Sequence, residues 1–261
     1  MYRYNINSNC TKCILGSKEG TIGGQSEVPF SEVKLIVIGN YPTGRDLRVD
    51  SSFSYNPNSK GIPDSSKGNL SSGEFLRYSL NAVIDKSKDI PDAYKPITKY
   101  TYFTNALKCS PQRGRDKITV LEKHIRTCKQ LWLNDELDQF PDRVPILLCS
   151  NEAVKSILGK DAKLYDSRNK INYYKSHPVI VSTHPTEWEK YSAKHVPDIE
   201  EARQNIVKLI KANAINKFKK EKKINKIIGC KRWKPLPGSP LYFVKQDLSL
   251  ILEEIIKYVN Q

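Results

Sequence analysis

Apolar residues gather in four short, unbroken runs: Lys34 to Gly39, Tyr100 to Asn105, Pro145 to Ser150 and Val179 to Thr183. Runs of this length read as strands, and their lack of alternation indicates a sheet covered on both faces. Between them the apolar spacing becomes helical. Ser71 with Glu74, Thr119 with Glu122 and Asp198 with Glu201 form capping boxes that predict three helix starts. Strand and helix alternate, so the predicted class is α/β: a three-layer sandwich with a central, mostly parallel four-stranded sheet flanked by helices. An amphipathic helix is expected from about Gln246 to Val259. Ligands of open α/β sheets bind beyond the carboxyl ends of the strands. The loops to read are therefore Gly39 to Asp46, Asn105 to Cys109 and His184 to Trp188. The Ser, Asn, Gly, Pro and Lys-rich stretch from Ser51 to Ser72 is too long for an ordinary connection, which makes it either functional or mobile.

Composition and charge sharpen this picture. With 261 residues, 38% of them hydrophobic, the chain can build one sizeable core plus an appendage. The expected division is an α/β domain over 1–200 and a basic helical C-terminal extension over 201–261. No apolar run approaches the roughly 18 residues of a membrane span, and the N-terminus lacks the apolar stretch of a secretory signal. A soluble, cytoplasmic protein, monomeric and without a membrane partner, is expected. The formal charge is +15, and Arg203 to Lys234 holds 12 basic residues against the single acid Glu221. Such a block is either a solvated face or a clamp that tracks phosphates, because each cation that neutralises a phosphate releases counterions. Lys217, Lys219, Lys220, Lys222 and Lys223 are its densest part, with Phe218 and Trp233 available for stacking. DNA is the expected partner.

Of the six cysteines, Cys10 and Cys13 form a CxxC, a spacing compatible with zinc, a redox dithiol or neither. Cys109 follows the second strand and Cys128 lies in the helix after Thr119, so two further thiols can meet the first pair. Four thiolates hold either zinc or a cubane cluster. Cys149 reads as a small buried hydrophobe and Cys230 as a lone thiol.

Six segments follow one another in a set order: Cys10-Thr11-Lys12-Cys13, Gly39-Asn40-Tyr41-Pro42, Thr104 to Pro111, the helical Cys128, Cys149 to Ala153, and Ser182-Thr183-His184-Pro185-Thr186. Together they resemble the uracil-DNA glycosylase superfamily, and within it the iron-sulfur branch often called family 4. The resemblance implies a [4Fe-4S] cluster on Cys10, Cys13, Cys109 and Cys128, structural in role, with zinc as the second choice of occupant. It also implies that His184 donates to the departing base. After His184, superfamily members often carry a loop that fills the hole left by the flipped base. Trp188 is the candidate wedge there, with Lys190 for phosphate.

The chemistry follows from the residue types. Breaking an N-glycosidic bond requires a base taken out of the stack. Asn105 can read its edge, and because a carboxamide turned by half a revolution swaps acceptor for donors, it fits pyrimidines in general. A preorganised donor such as His184 stabilises the charge that collects on the leaving base. Two departures from the family pattern stand out. Where the iron-sulfur branch places a water-assisting Glu, this chain has Asn40, which can orient water but take no proton; Asp46 is the nearest carboxylate. Where the family has a short Pro-Phe-x-Gly segment, Ser51 to Ser72 stands instead, so Tyr41 and Phe53 become the candidate pocket aromatics. That stretch is rich in hydroxyls and amides, which suits a polar, even glycosylated, base substituent. The expectation is a monofunctional DNA glycosylase, with no Schiff-base lyase step. Its base is a modified pyrimidine, such as the glucosylated hydroxymethylcytosine of phage DNA in antiphage defence, or uracil in base excision repair. The alternatives are a non-catalytic DNA-binding protein that retains fold and cluster, and a zinc-stabilised module of unrelated fold.

Overall fold

The computed structural model describes residues 1–6, 10–15, 21–43, 73, 76–77, 80–81, 84–85, 87–113, 116–184 and 240–261. Its strands are β1 (Tyr2–Arg3), β2 (Gln25–Ser26), β3 (Leu35–Gly39), β4 (Thr101–Asn105), β5 (Gln112–Arg113), β6 (Asp116–Lys117), β7 (Ile146–Leu148), β8 (Asn172–Tyr174) and β9 (His177–Val181). The main sheet runs β1-β2-β4-β3-β7-β9-β8, while β5 and β6 form a separate hairpin. The four runs expected from the sequence are its parallel centre, in the order β4-β3-β7-β9. The sheet has seven strands rather than four, because β1, β2 and β8 add antiparallel edges. These edges are two or three residues long, too short to leave an apolar signature in the sequence.

Side chains alternate across the central strands, and each face has its own core. Leu35, Val37, Phe103, Leu147 and Ile180 share one face with Leu76, Leu80 and Ile84, which are helical residues, and with Leu248, Ile251 and Ile255. The last three belong to the C-terminal helix α5 (Pro240–Val259), which begins before the expected Gln246. Ile36, Ile38, Tyr102, Ile146, Leu148, Val179 and Val181 share the other face with Leu133, Leu137, Val154 and Ile157. Each such side chain contributes about 1.5–3 kcal/mol on burial. Continuous apolar strands therefore reflect helices on both sides.

Helix α1 (Glu122–Cys128) runs through a π-helical turn, Lys129–Leu133, into α2 (Asn134–Leu137). Thr119 does not cap it. The cap falls at Leu121, whose N–H donates to Nδ1 of His124 at 3.1 Å, so only the reciprocal half of a capping box forms. Helix α3 (Asn151–Leu158) is capped by Ser150, whose Oγ accepts from the Ala153 N–H at 3.0 Å. A short helix α4 (Leu164–Ser167) leads to β8. The helix expected from Asp198 lies outside the described residues, as does the basic block. No described helix is long and apolar enough to cross a membrane.

Candidate active site and cysteine cavity

Parallel pairing brings the chemistry to one edge. In the register of β3 and β4, Gly39 stands opposite Asn105. Ala106 N–H donates to the Gly39 carbonyl at 3.0 Å and Leu107 N–H to that of Asn40 at 2.8 Å, so the two following loops are bonded together. On the far side, Cys149 N–H bonds the Ile38 carbonyl and Ser182 N–H bonds that of Leu148, at 2.9 and 2.8 Å. The sheet thus presents Asn105, Asn40, Ser150 and the His184 loop in strand order at its carboxyl edge. Asn105 and His184 follow strands three spacings apart, about 14 Å at 4.7–4.9 Å per strand. That span is wide enough for a base to sit between side chains that reach inward.

Asn105 is 3% exposed and its Nδ2 has no hydrogen-bond partner. A buried amide donor without a partner costs about 1–3 kcal/mol, and at a sheet edge where ligands bind it marks a group awaiting an acceptor. Asn40 is half-buried, and its Oδ1 accepts the Tyr41 N–H at 2.7 Å. Because the partner is a donor, that bond fixes which amide atom is oxygen. Both N–H groups of Asn40 remain as donors.

A family model described as the uracil DNA glycosylase superfamily matches residues 5–212. The chain belongs to the uracil DNA glycosylase superfamily. No curated protein matches it. Membership gives the protein a DNA-glycosylase lineage, with DNA as the expected polymer, and removes the reading of an unrelated fold. The match ends before α5.

Beside this glycosylase edge, Cys10, Cys13, Cys109 and Cys128 all line one small cavity, together with Lys12, Leu15, Leu107, Thr127, Leu131 and Trp132. None of these thiols is in a disulfide. The sequence scatters them over a loop, a post-strand turn and a helix. The fold joins these elements because Leu15, Leu107, Cys109, Ile125 and Cys128 make a small core of their own, with Tyr41 packed against it. The π-turn follows Cys128 directly and contains Trp132, whose buried Nε1 has no partner. The Lys108 N–H points at Cys128 Sγ, 3.4 Å away. Burial pushes the Cys128 thiol up to about 11, against the opposing influence of Lys108. Among the described residues no three His, Cys, Asp or Glu side chains are gathered as ligands of a single ion; the thiols ring a space instead.

Sequence reasoning missed what lies between cavity and sheet. Lys108 and Glu136 form a fully buried ion pair through Nζ and Oε2. Lys108 Nζ also donates to Thr104 Oγ1 at 2.6 Å. Glu136 Oε1 accepts from Tyr102 OH at 2.6 Å, Thr104 Oγ1 at 2.9 Å and Gly24 N–H at 2.8 Å. Gly24 is required there: a Cβ would lie 2.4 Å from the Tyr102 ring. The signal was present, since Glu136 interrupts the apolar stripe Leu133, Leu137, Phe140 at helical spacing. Lys108 lies within the Thr104 to Pro111 motif, but its buried, ion-paired ammonium is not presented to a sugar. Asp46, Phe53, Trp188, Lys190, Lys217, Lys219, Lys220, Lys222 and Lys223 lie outside the described residues.

Proposed function

We propose that the protein is a monofunctional DNA glycosylase that hydrolyses the N-glycosidic bond of a flipped pyrimidine and leaves an abasic site. The observation that carries this is the unpartnered, buried Nδ2 of Asn105, next to Asn40 at the carboxyl edge of a glycosylase sheet. Both uracil-type and cytosine-type edges offer an acceptor to that donor. Asn105 binds and orients the base, and the half-buried His184 donates to its carbonyl as charge develops. Asn40 cannot accept a proton at its amide nitrogen. It holds the attacking water, or a base carbonyl, as a donor, and Asp46 is the carboxylate assigned to the proton. The long polar stretch from Ser51 to Ser72 and the loss of the Glu favour a modified pyrimidine, such as glucosylated hydroxymethylcytosine in antiphage defence, over uracil.

We propose that the cysteine cavity holds a [4Fe-4S] cluster, as the resemblance to the iron-sulfur branch implies. Three features support the fit. Four thiols surround one space, an orphaned indole N–H in its wall needs an acceptor such as a cluster sulfide, and the surroundings are apolar. Zinc would need all four sulfurs about 2.3 Å from one ion, whereas a cubane offers each thiolate its own iron. When bound, the cluster supplies a covalent cross-link between the N-terminal segment, the turn after β4 and α1, and takes no part in bond cleavage.

The test is cleavage of oligonucleotides carrying uracil, hydroxymethylcytosine or glucosylated hydroxymethylcytosine, followed by alkali. Cleavage of one of them, lost in Asn105→Ala and His184→Ala, supports the reading. Tight DNA binding with no abasic site on any of them supports the second reading, a non-catalytic DNA-binding protein, which the replacement of Glu by Asn40 favours.

A further inference from the structure

The strand that carries Asn105 is held differently on its two sides. Towards β3, β4 is paired through to its last residue, with Asn105 opposite Gly39. Towards β2 the ladder is a single pair, Gln25 opposite Phe103, which stops two residues short of Asn105. Beyond that pair a side chain joins the two segments. Glu136 Oε1 accepts the Gly24 N–H at 2.8 Å from the β2 side, and Tyr102 OH at 2.6 Å and Thr104 Oγ1 at 2.9 Å from β4. The turn after Asn105 is closed by Lys108, whose Nζ donates to Thr104 Oγ1 at 2.6 Å and pairs with Glu136 Oε2.

Lys108 is gripped at both ends by the α1–α2 segment: its N–H points at Cys128 Sγ, 3.4 Å away, and its ammonium meets Glu136. Cys128 and Glu136 stand eight positions apart, about 0.8 residue beyond two α-helical turns. The π-helical turn Lys129–Leu133 lies between them, and its wider i→i+5 pitch absorbs that excess, so one side of the segment presents both residues to Lys108. A buried ion pair is in general weak evidence for stability, because desolvation offsets most of the attraction. What a bonded network supplies is a fixed geometry. The residue fixed here is Thr104, and the next is Asn105, whose buried Nδ2 has no partner. The aim of that amide is therefore inherited from the backbone that carries it.

We propose that Glu136 is a positioning residue for the glycosylase reaction: through Thr104 and Lys108 it holds the end of β4 where the ladder to β2 has ceased, so that Asn105 meets the flipped base in register. This rests on the role given to Asn105 above. Glu136 is fully buried, touches neither base nor sugar, and acts through Thr104.

The experiment uses the full-length protein and compares Thr104→Val, which keeps the shape and removes the hydroxyl, with Thr104→Ser, which keeps the hydroxyl. Single-turnover rate at saturating enzyme, DNA affinity and thermal midpoint are measured, the rates at a temperature where every variant is folded. Thr104→Val leaves the ion pair in place, so its midpoint should fall by only about 2–4 °C, the size of one hydrogen bond in a chain of this length. Its single-turnover rate should fall about tenfold or more, since a misplacement of about 1 Å can cost 10²-fold. DNA affinity should stay within about twofold, because phosphate contacts dominate it. Thr104→Ser should restore most of the rate. If Thr104→Val does not fold, Lys108→Met combined with Glu136→Gln, which keeps an acceptor for the three donors, decides by the same readings. A folded Thr104→Val protein that cleaves at the wild-type rate makes the network structural only and overturns the proposal while the glycosylase reading stands. So does a rate loss in Thr104→Ser as large as in Thr104→Val, or a rate loss matched by an equal loss of DNA affinity. A wild-type protein that cleaves none of the substrates overturns both.

Discussion

Lys108→Met tests whether the buried network between sheet and cysteine cavity is held by charge compensation. The substitution keeps most of the side-chain volume and removes the ammonium, leaving Glu136 fully buried with three neutral donors, Gly24 N–H, Tyr102 OH and Thr104 Oγ1, and no cation. Breaking a buried pair on one side costs roughly 3–5 kcal/mol, a fifth or more of the roughly 5–15 kcal/mol that holds an ordinary domain together. A hydrophobic replacement of both partners is often harmless at an isolated buried pair, but here it should fail. Lys108→Met with Glu136→Met strips an acceptor from the three donors, at about 1–3 kcal/mol each. Lys108→Met with Glu136→Gln keeps a carboxamide oxygen for them without a buried charge, and should be the most stable of the altered proteins. Guanidinium unfolding followed by circular dichroism gives the midpoints. A double Met variant as stable as wild type, or a single Lys108→Met loss below about 1 kcal/mol, would refute the reasoning.

Asp85 is pushed up from 3.8 to about 6, chiefly by burial, with the Ile97 N–H at 2.8 Å and Lys95 opposing. An acid whose folded pKa is raised stabilises fully below its unfolded value and loses that contribution as pH rises to about 6. Asp85→Asn, which keeps an acceptor for Ile97, should therefore flatten the slope between pH 4 and 6 in thermal melts and add about 1 kcal/mol at pH 7, after allowance for partial solvent screening. Asn105→Ala should abolish cleavage yet leave the melting temperature within a degree or two or raise it, because the lost donor has no partner to lose. Protein prepared without oxygen should carry iron and acid-labile sulfide, lost on Cys13→Ser or Cys128→Ser and retained in Cys149→Ala, as measured by visible absorption and metal analysis; zinc without iron would sink the cluster assignment. Charge reversal from Lys217 to Lys226 should weaken DNA binding and flatten its salt dependence in a titration across ionic strengths.

Much of the fold could be read from local pattern. Each central strand is buried along its whole length because both of its faces are covered, and the apolar residues that dominate β3, β7 and β9 record that condition. The edge strands could not be read: β1 and β2 are held by pairing partners distant in the chain, and β8 by a tight hairpin with β9, rather than by apolar side chains. The Thr119 cap failed for a similar reason. The capping spacing was correct, but His124 offered Leu121 a competing ring nitrogen.

For the site, residue types alone determined the chemistry on offer: an amide that reads pyrimidine edges, a histidine donor, four thiols and an amide where a carboxylate was expected. A motif of this kind is local in sequence, and its donor and acceptor inventory does not depend on the rest of the chain. Only the tertiary structure decided which groups meet. Parallel register set Asn40 beside Asn105, and packing of three separate segments drew the cysteines around one cavity. Burial joined Lys108 to Glu136, 28 positions apart in the chain. It also carried Asp247 from the C-terminal helix to Arg168, a meeting of residues 79 positions apart that no local spacing encodes. Desolvation and pairing are properties of neighbourhoods, and neighbourhoods exist only once the chain has folded.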